Sequence, residues 1–411
     1  MNVQLRADAD QIIRHAIHAV QPNEAVFRAL RDAELTGRVL LVAVGKAAWQ
    51  MAKAASDYLG ERIHRGVVCT KYGHCMGNIE RIQCYEGGHP VPDENGFRGT
   101  EAALELTRNA MPEDTVLFLV SGGGSALFEK PLISPSTLQN ITQQLLACGA
   151  DIVEINTIRK RFSAVKGGRF ALHCAPAKVY QIVLSDILGD PLDMIASGPA
   201  CPDSATTQDA LAIVQKYGLQ LDENARELLS LETPKKLDNV KTCITGSVRE
   251  LCTAAAQASY KLGYEPVLLT DRLNCEAREA GRFLSAVART HANQQKKLAF
   301  IAGGETVVHI TGSGLGGRNQ ELALAAAPGI EGLPQVAVFS VGSDGTDGPT
   351  DAAGGYVDGD TAAQIRRQGW DIDETLKNND SYHALAQAEG LVITGPTGTN
   401  VNDFSMVLVS G

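Results

Sequence analysis

The chain has 411 residues, 44% of them hydrophobic and 20% charged, with 41 glycines and a formal net charge of -10. This composition excludes fibrous and disordered classes, and the length allows two separate cores. The acidic balance excludes broad binding to nucleic acid or to an anionic membrane, which needs a cationic field, so the cations that matter must be local. Nine cysteines without a CxxC pair predict neither a zinc site nor a disulfide scaffold. No apolar stretch reaches membrane-spanning or secretory length, and a reduced, cytoplasmic protein is expected.

An amphipathic helix is predicted over residues 8–20, followed by a continuous apolar run at 38–44 of the kind found in strands buried on both faces. Gly45-Lys46 then opens a helical pattern at 47–59. The alternation recurs with apolar runs at 66–70, 115–120 and 178–184, the rhythm of a parallel sheet wrapped by helices. Ligands bind such sheets at the carboxyl ends of the strands. The loops Gly45-Lys46, Ser121-Gly-Gly-Gly-Ser125 and Ser185-Asp-Ile-Leu-Gly-Asp190 all begin there and should converge. A polar, proline-containing stretch at 231–239 sets the expected boundary between an α/β domain at 1–236 and a second, mixed α/β domain at 237–411. In the second, strands are expected at 241–245, 265–270 and 297–302, with a tight connection between two strands at 302–305.

Gly312, Gly314, Gly316 and Gly317 precede an alanine-rich helix starting near Arg318. Such a turn can close its N–H groups on an anion at the helix's positive end, and Arg318 adds a planar fork of donors suited to phosphate. The spacing also satisfies a dinucleotide fingerprint with Asp344 as ribose acceptor, a weaker reading because the turn lies deep in the chain. The glycine turn at Gly122, Gly123, Gly124 and Ser125 is equally well read as an anion cradle or as steric relief. Asp186 and Asp344 directly follow buried-strand runs, where active-site loops form, while Asp347 and Asp351 can offer oxygen ligands to a hard cation. In the basic run at 156–169, Lys160 is the residue chosen for a substrate anion. His89, in Gly87-Gly-His-Pro-Val-Pro-Asp93, lies in a turn-rich loop for which a structural role is expected. Neither a Walker A sequence nor a GxSxG elbow is present.

Taken together, these motifs resemble the glycerate 2-kinase family, the class II glycerate kinases whose relatives were once labelled hydroxypyruvate reductase. The likeness runs along nearly the whole chain, through Val44-Gly-Lys-Ala47, Gly87 to Asp93, Val120 to Ser125, Asn156 to Gly168, Leu184 to Asp190, Ser197-Gly-Pro199, Gly303-Gly-Glu-Thr306, Gly316 to Glu321, Gly342 to Asp351 and Thr397 to Asp403. It implies a Rossmann-like N-terminal domain and a C-terminal domain of the MOFRL type, with ATP and glycerate meeting in the cleft between them. It also implies Mg²⁺-dependent phosphorylation of the 2-hydroxyl, giving 2-phosphoglycerate and ADP.

On that resemblance, Lys46, Asp186, Arg318 and Asp344 are the expected catalytic residues, and Lys46, Ser125, Lys160 and Arg318 the expected substrate contacts. Gly122, Gly123, Gly124, Ser125, Gly303, Gly304, Glu305, Thr306, Gly314, Gly316, Gly317 and Asn319 are the expected nucleotide contacts. Asp186, Asp344 and Asp351 are the expected metal ligands. No nucleic-acid or membrane partner is expected, and a homodimer is left open. The alternative is an NAD(P)H-dependent hydroxypyruvate reductase.

Overall fold

The structure is a computed structural model that describes residues 1–411. Its contacts divide the chain into two compact units, one formed by Ala25–Leu184 and Asp190–Thr245, the other by Met1–Glu24, Ser185–Gly189 and Gly246–Gly411.

The first unit is built on β1 (Val39–Val44), β2 (Ile63–Lys71), β3 (Ile82–Gly87), β4 (Thr115–Val120), β5 (Lys178–Leu184) and β6 (Val240–Gly246), in the spatial order β3-β2-β1-β4-β5-β6. β1 and β4 are buried at every position because helices cover both faces, which is why they read as unbroken apolar runs. The pairs β1–β2, β1–β4, β2–β3 and β4–β5 are all parallel. The order reverses between β1 and β4, and ligands of such sheets bind at the switch point, outside the carboxyl ends of the strands.

The second unit carries β7 (Glu265–Leu273), β8 (Leu298–Gly304), β9 (Val336–Gly342), β10 (Gly354–Asp358), β11 (Leu391–Val392) and β12 (Asp403–Val409), in the order β11-β10-β9-β12-β8-β7. β7 and β8 are parallel, while β12 runs antiparallel to both β8 and β9, so the sheet is mixed. Alternation divides its side chains between two cores. Ile301, Phe339, Phe404 and Met406 pack with the helices Val3–Ala19 and Val248–Lys261, whereas Phe300, Val338 and Val407 pack with Ala277–His291 and Arg318–Ile330.

Three features differ from the sequence expectations. The N-terminal helix belongs with the second unit, where Leu5, Ile12, Ile13 and Ile17 join its core and Asp8 accepts from Tyr264 Oη at 2.7 Å. Residues 240–245 complete the first sheet instead of opening the second domain, so the cut at 236/237 misplaces both segments. Gly303 and Gly304 are not a connection between strands. They end β8, where a Cβ on Gly303 would meet Cys252 Sγ and one on Gly304 the Leu273 backbone.

Candidate active site

In the first unit the loops after β1 and β4 interlock at the switch point. Lys46 N–H donates to the Gly122 carbonyl at 2.9 Å, and Ala47 N–H to Ser121 Oγ at 3.1 Å. Gly123 adopts φ +84°, a left-handed conformation that favours glycine, and a Cβ there would lie 3.1 Å from both His89 Nε2 and Lys46 Cγ. From the end of β2, His74 Nδ1 lies 3.0 Å from the Lys46 carbonyl oxygen. Burial lowers the pKa of His89, and the positive charges of Lys46, Lys71 and His74 lower it further. None of these four basic side chains is ion-paired to a carboxylate, although acidic residues outnumber basic ones in the chain by 47 to 37. Basic side chains without acidic partners on neighbouring loops offer charge and donors to an anion.

Two residues beyond this turn, Ser125 enters a hydrogen-bonded set. Ser197 Oγ lies 3.0 Å from Ser125 Oγ and 3.1 Å from Asn156 Oδ1. Lys160 does not serve as the substrate cation. Its ammonium is buried and bound to Asp203 at 3.0 Å and Asp193 at 3.6 Å, because the helix Ile152–Arg161 turns that face inward. The neighbouring Arg159, on a different face, lies beside Ser125.

The second unit holds a pocket of about 550 Å³ that brings together Glu305, Thr306, Gly314, Gly316, Gly317, Arg318 and Asp344 from the sequence reading, with Val307, Val308, Ile310 and Pro349 as an apolar part. Arg318 is gripped here by carboxylates: Nε and Nη2 donate to Asp403 at 2.6 and 3.1 Å, and Nη1 donates to Glu305 at 2.6 Å. Burial opposes its charge, and the pairing with Asp403 and then Glu305 outweighs burial and raises its pKa. Asp403 is pushed up to about 6 by burial, which the guanidinium only partly offsets.

The glycine turn itself is less open than its sequence implies. Gly312 N–H donates to Asn379 Oδ1, Ser313 N–H to Asn378 Oδ1, Gly314 N–H to the Asn378 carbonyl and Leu315 N–H to Asp380 Oδ1. At the start of the helix, the Asn319 and Gln320 N–H groups donate to the Asp347 carboxylate at 3.2 and 2.9 Å. Asp347 therefore caps this helix. The N–H groups of Gly316, Gly317 and Arg318 have no protein acceptor. Asn319 is a buried structural residue whose Oδ1 accepts from Ser340 Oγ.

The three aspartates expected to hold metal do not gather into a cage, and no cluster of three or more His, Cys, Asp or Glu side chains suits an ion. Asp351 accepts from Tyr382 Oη at 2.8 Å and lies outside the pocket lining. Asp186 is half-buried on the short 185–189 segment that clusters with the second unit. Asp344 remains on the pocket wall, where its Oδ1 accepts only from Thr346 N–H.

The chain is similar to known proteins along nearly its whole length. Residues 8–230 match a domain described as of unknown function, DUF4147, and residues 298–403 match the MOFRL family. A D-glycerate 2-kinase from Thermotoga maritima is 52% identical, with 98% of both chains covered, and a glycerate 2-kinase from Pyrococcus horikoshii is 38% identical, covering 97% of this chain and 96% of the relative. The crystal structure of glycerate kinase from Thermotoga maritima superposes with a TM-score of 0.95 over 99% of each chain.

The chain belongs to the glycerate 2-kinase family. That membership agrees with the α/β architecture of a parallel and a mixed sheet read from the sequence. In this glycerate 2-kinase fold the structure puts Lys46 and the residue 122–125 turn of the sequence reading on the switch-point loops, and Arg318 and Asp344 on the pocket of the second unit. It passed over Lys71 and His74, which the rule that ligands meet strand ends would have found at the end of β2. It also passed over Asp403, whose signal was its place in the Thr397 to Asp403 motif. No helix is long and apolar enough to cross a membrane.

Proposed function

We propose that this protein transfers the γ-phosphoryl group of ATP to the 2-hydroxyl of D-glycerate, releasing 2-phosphoglycerate and ADP. One observation carries the reading: Lys46, Lys71, His74 and His89 converge without any carboxylate partner at the switch point of the parallel sheet. Both substrates are anions, and phosphoryl transfer needs positioning and charge neutralisation more than covalent help. In the proposed division of roles, Lys46 neutralises the moving phosphoryl group and the turn at Gly122, Gly123 and Gly124 brings backbone close to it.

The pocket of the second unit is assigned to the nucleotide. Its apolar part suits a base, and the Gly316, Gly317 and Arg318 N–H groups suit phosphate oxygens. Because Asp403 and Glu305 already neutralise Arg318, its role is to hold these carboxylates and the helix start in place for the nucleotide. Asp344 and Glu305 provide hard oxygen donors of the kind Mg²⁺ takes when it shares its shell with substrate phosphates, and they would hold it. When bound, Mg²⁺ supplies charge neutralisation at the phosphate oxygens. Asp186 is assigned to orient the 2-hydroxyl and accept its proton.

The full-length kinase relatives support this reading over the reductase. The dinucleotide fingerprint also lacks its required setting, since residues 305–317 form irregular chain with no strand leading into the glycines. The test is a coupled assay that measures ADP formation and NADH oxidation separately, with phosphorus NMR of the product. The expected outcome is ADP release with the phosphate on the 2-oxygen. Hydroxypyruvate-dependent NADH loss without ADP would reverse the assignment.

A further inference from the structure

Five basic side chains lie between residues 159 and 169, and four of them are committed to the protein. Lys160 pairs with Asp203, Lys166 with Glu129 at 3.0 Å and Arg161 with Glu232 at 2.8 Å, while Arg169 donates to the carbonyls of Lys160 and Ser163 at 2.6 and 2.8 Å. Arg159 differs. It forms no ion pair, its Nη2 makes a single 3.4 Å bond to the Ser125 carbonyl, and its Nε is buried without a partner. A guanidinium normally satisfies several of its five donors, so the unspent ones point to a planar oxyanion.

A second, independent observation lies beside it. Ala196, Ser197 and Gly198 run consecutively through positive φ, at 51°, 60° and 64°. Two side-chain-bearing residues in a row in this region are disfavoured, and such strain concentrates at ligand clamps. The turn delivers the Ser197 hydroxyl to Ser125 Oγ and Asn156 Oδ1, and a Cβ on Gly124 would press within 2.6 Å of Ala196 Cβ. Lys166 fixes the segment that carries Ser125 by donating to the Ser125 and Phe128 carbonyls at 2.8 and 3.0 Å.

We propose that Arg159 receives the carboxylate of the hydroxy-acid acceptor, with the Ser125 hydroxyl, held in place by the buried Ser197, binding one of the acceptor's own hydroxyl groups. The inference rests on the glycerate 2-kinase reading and adds the subsite that makes the enzyme select an acid over a neutral polyol. A compact fork beside a single hydroxyl suits a three-carbon acid better than a triphosphate chain.

The test measures KM for D-glycerate at saturating ATP, and KM for ATP at saturating D-glycerate, in wild type, Arg159→Met, Arg159→Lys and Ser197→Ala, with glycerol as an acceptor lacking the carboxylate. Arg159→Met should raise KM for glycerate by about 30-fold or more while KM for ATP stays within about twofold. Arg159→Lys, which keeps the charge but loses the fork, should fall between, by about tenfold. It reads the same split if the methionine variant does not fold. Preference for glycerate over glycerol should shrink in both. An unchanged KM for glycerate, or a rise in KM for ATP alone, would overturn the assignment. Wild-type protein that releases no ADP with glycerate would instead remove the kinase reading on which it rests.

Discussion

Lys46 is exposed and its ammonium is bound to no carboxylate, so its charge serves a ligand more than the fold. Lys46→Ala should lower kcat/KM by about a thousandfold, the scale seen when one preorganised charge-stabilising group is removed. Stability should change by less than about 0.5 kcal/mol, since no buried contact is lost. Steady-state kinetics beside a thermal melt checks both, and near-normal turnover would remove Lys46 from the mechanism.

His89 gives a second prediction at the same scale. Burial, then Lys46, Lys71 and His74, keep its pKa below the ordinary value when no anion is present. An anion among these cations favours the imidazolium and raises the pKa. Binding must then take up a proton, with affinity growing as pH falls through the ligand-bound pKa and levelling below the ligand-free one. Calorimetry of ATP binding in two buffers of different ionisation enthalpy should detect the uptake, and His89→Gln should abolish it. Heats that do not depend on the buffer would show that His89 does not face the anion.

Among the elements, the helix Arg318–Ile330 depends on a cap supplied from 27 and 28 residues downstream. Asp347→Ala would leave the buried Asn319 and Gln320 N–H groups without an acceptor, at a cost of about 1–3 kcal/mol. Urea unfolding should show this loss together with a weaker nucleotide site, and a variant of unchanged midpoint would refute the capping role. The cap was illegible in the sequence because Asp347 sits in a Gly/Asp/Pro-rich turn that offers equally good local reasons for an aspartate.

The same separation explains the misjudged glycine turn, whose partners Asn378, Asn379 and Asp380 come some sixty residues later. By contrast β1, β4 and β5 were legible because burial on both faces makes apolar residues predominate, with Thr115 and Gln181 as buried exceptions. β3 was not, since its six residues alternate cysteine, tyrosine and glutamate at the sheet edge with only one fully apolar aliphatic side chain. Lys160 was preferred to Arg159 because helical spacing separates faces without saying which one turns inward.

At the scale of the molecule, chain order and spatial order disagree. The amphipathic pattern near the start predicted a helix correctly but could not name the surface it covers, which is the sheet of the second unit. Leu5, Ile12, Ile13 and Ile17 are buried there, each worth about 1.5–3 kcal/mol of apolar transfer. Together they approach the whole stability of an ordinary domain. A variant lacking residues 1–19 should therefore lose the cooperative melt of the second unit and bind a hydrophobic dye, whereas a soluble variant melting like wild type would show the helix to be dispensable.

The position of β12 has a consequence for how the polypeptide is made. This strand, Asp403–Val409, lies between β8 and β9, both of which leave the ribosome earlier and have no direct pairing across the gap. Until it emerges, the apolar faces of both neighbours and the leading helix stay exposed while the parallel sheet can already close. The second unit therefore completes its sheet only after the parallel sheet of the first has all its strands.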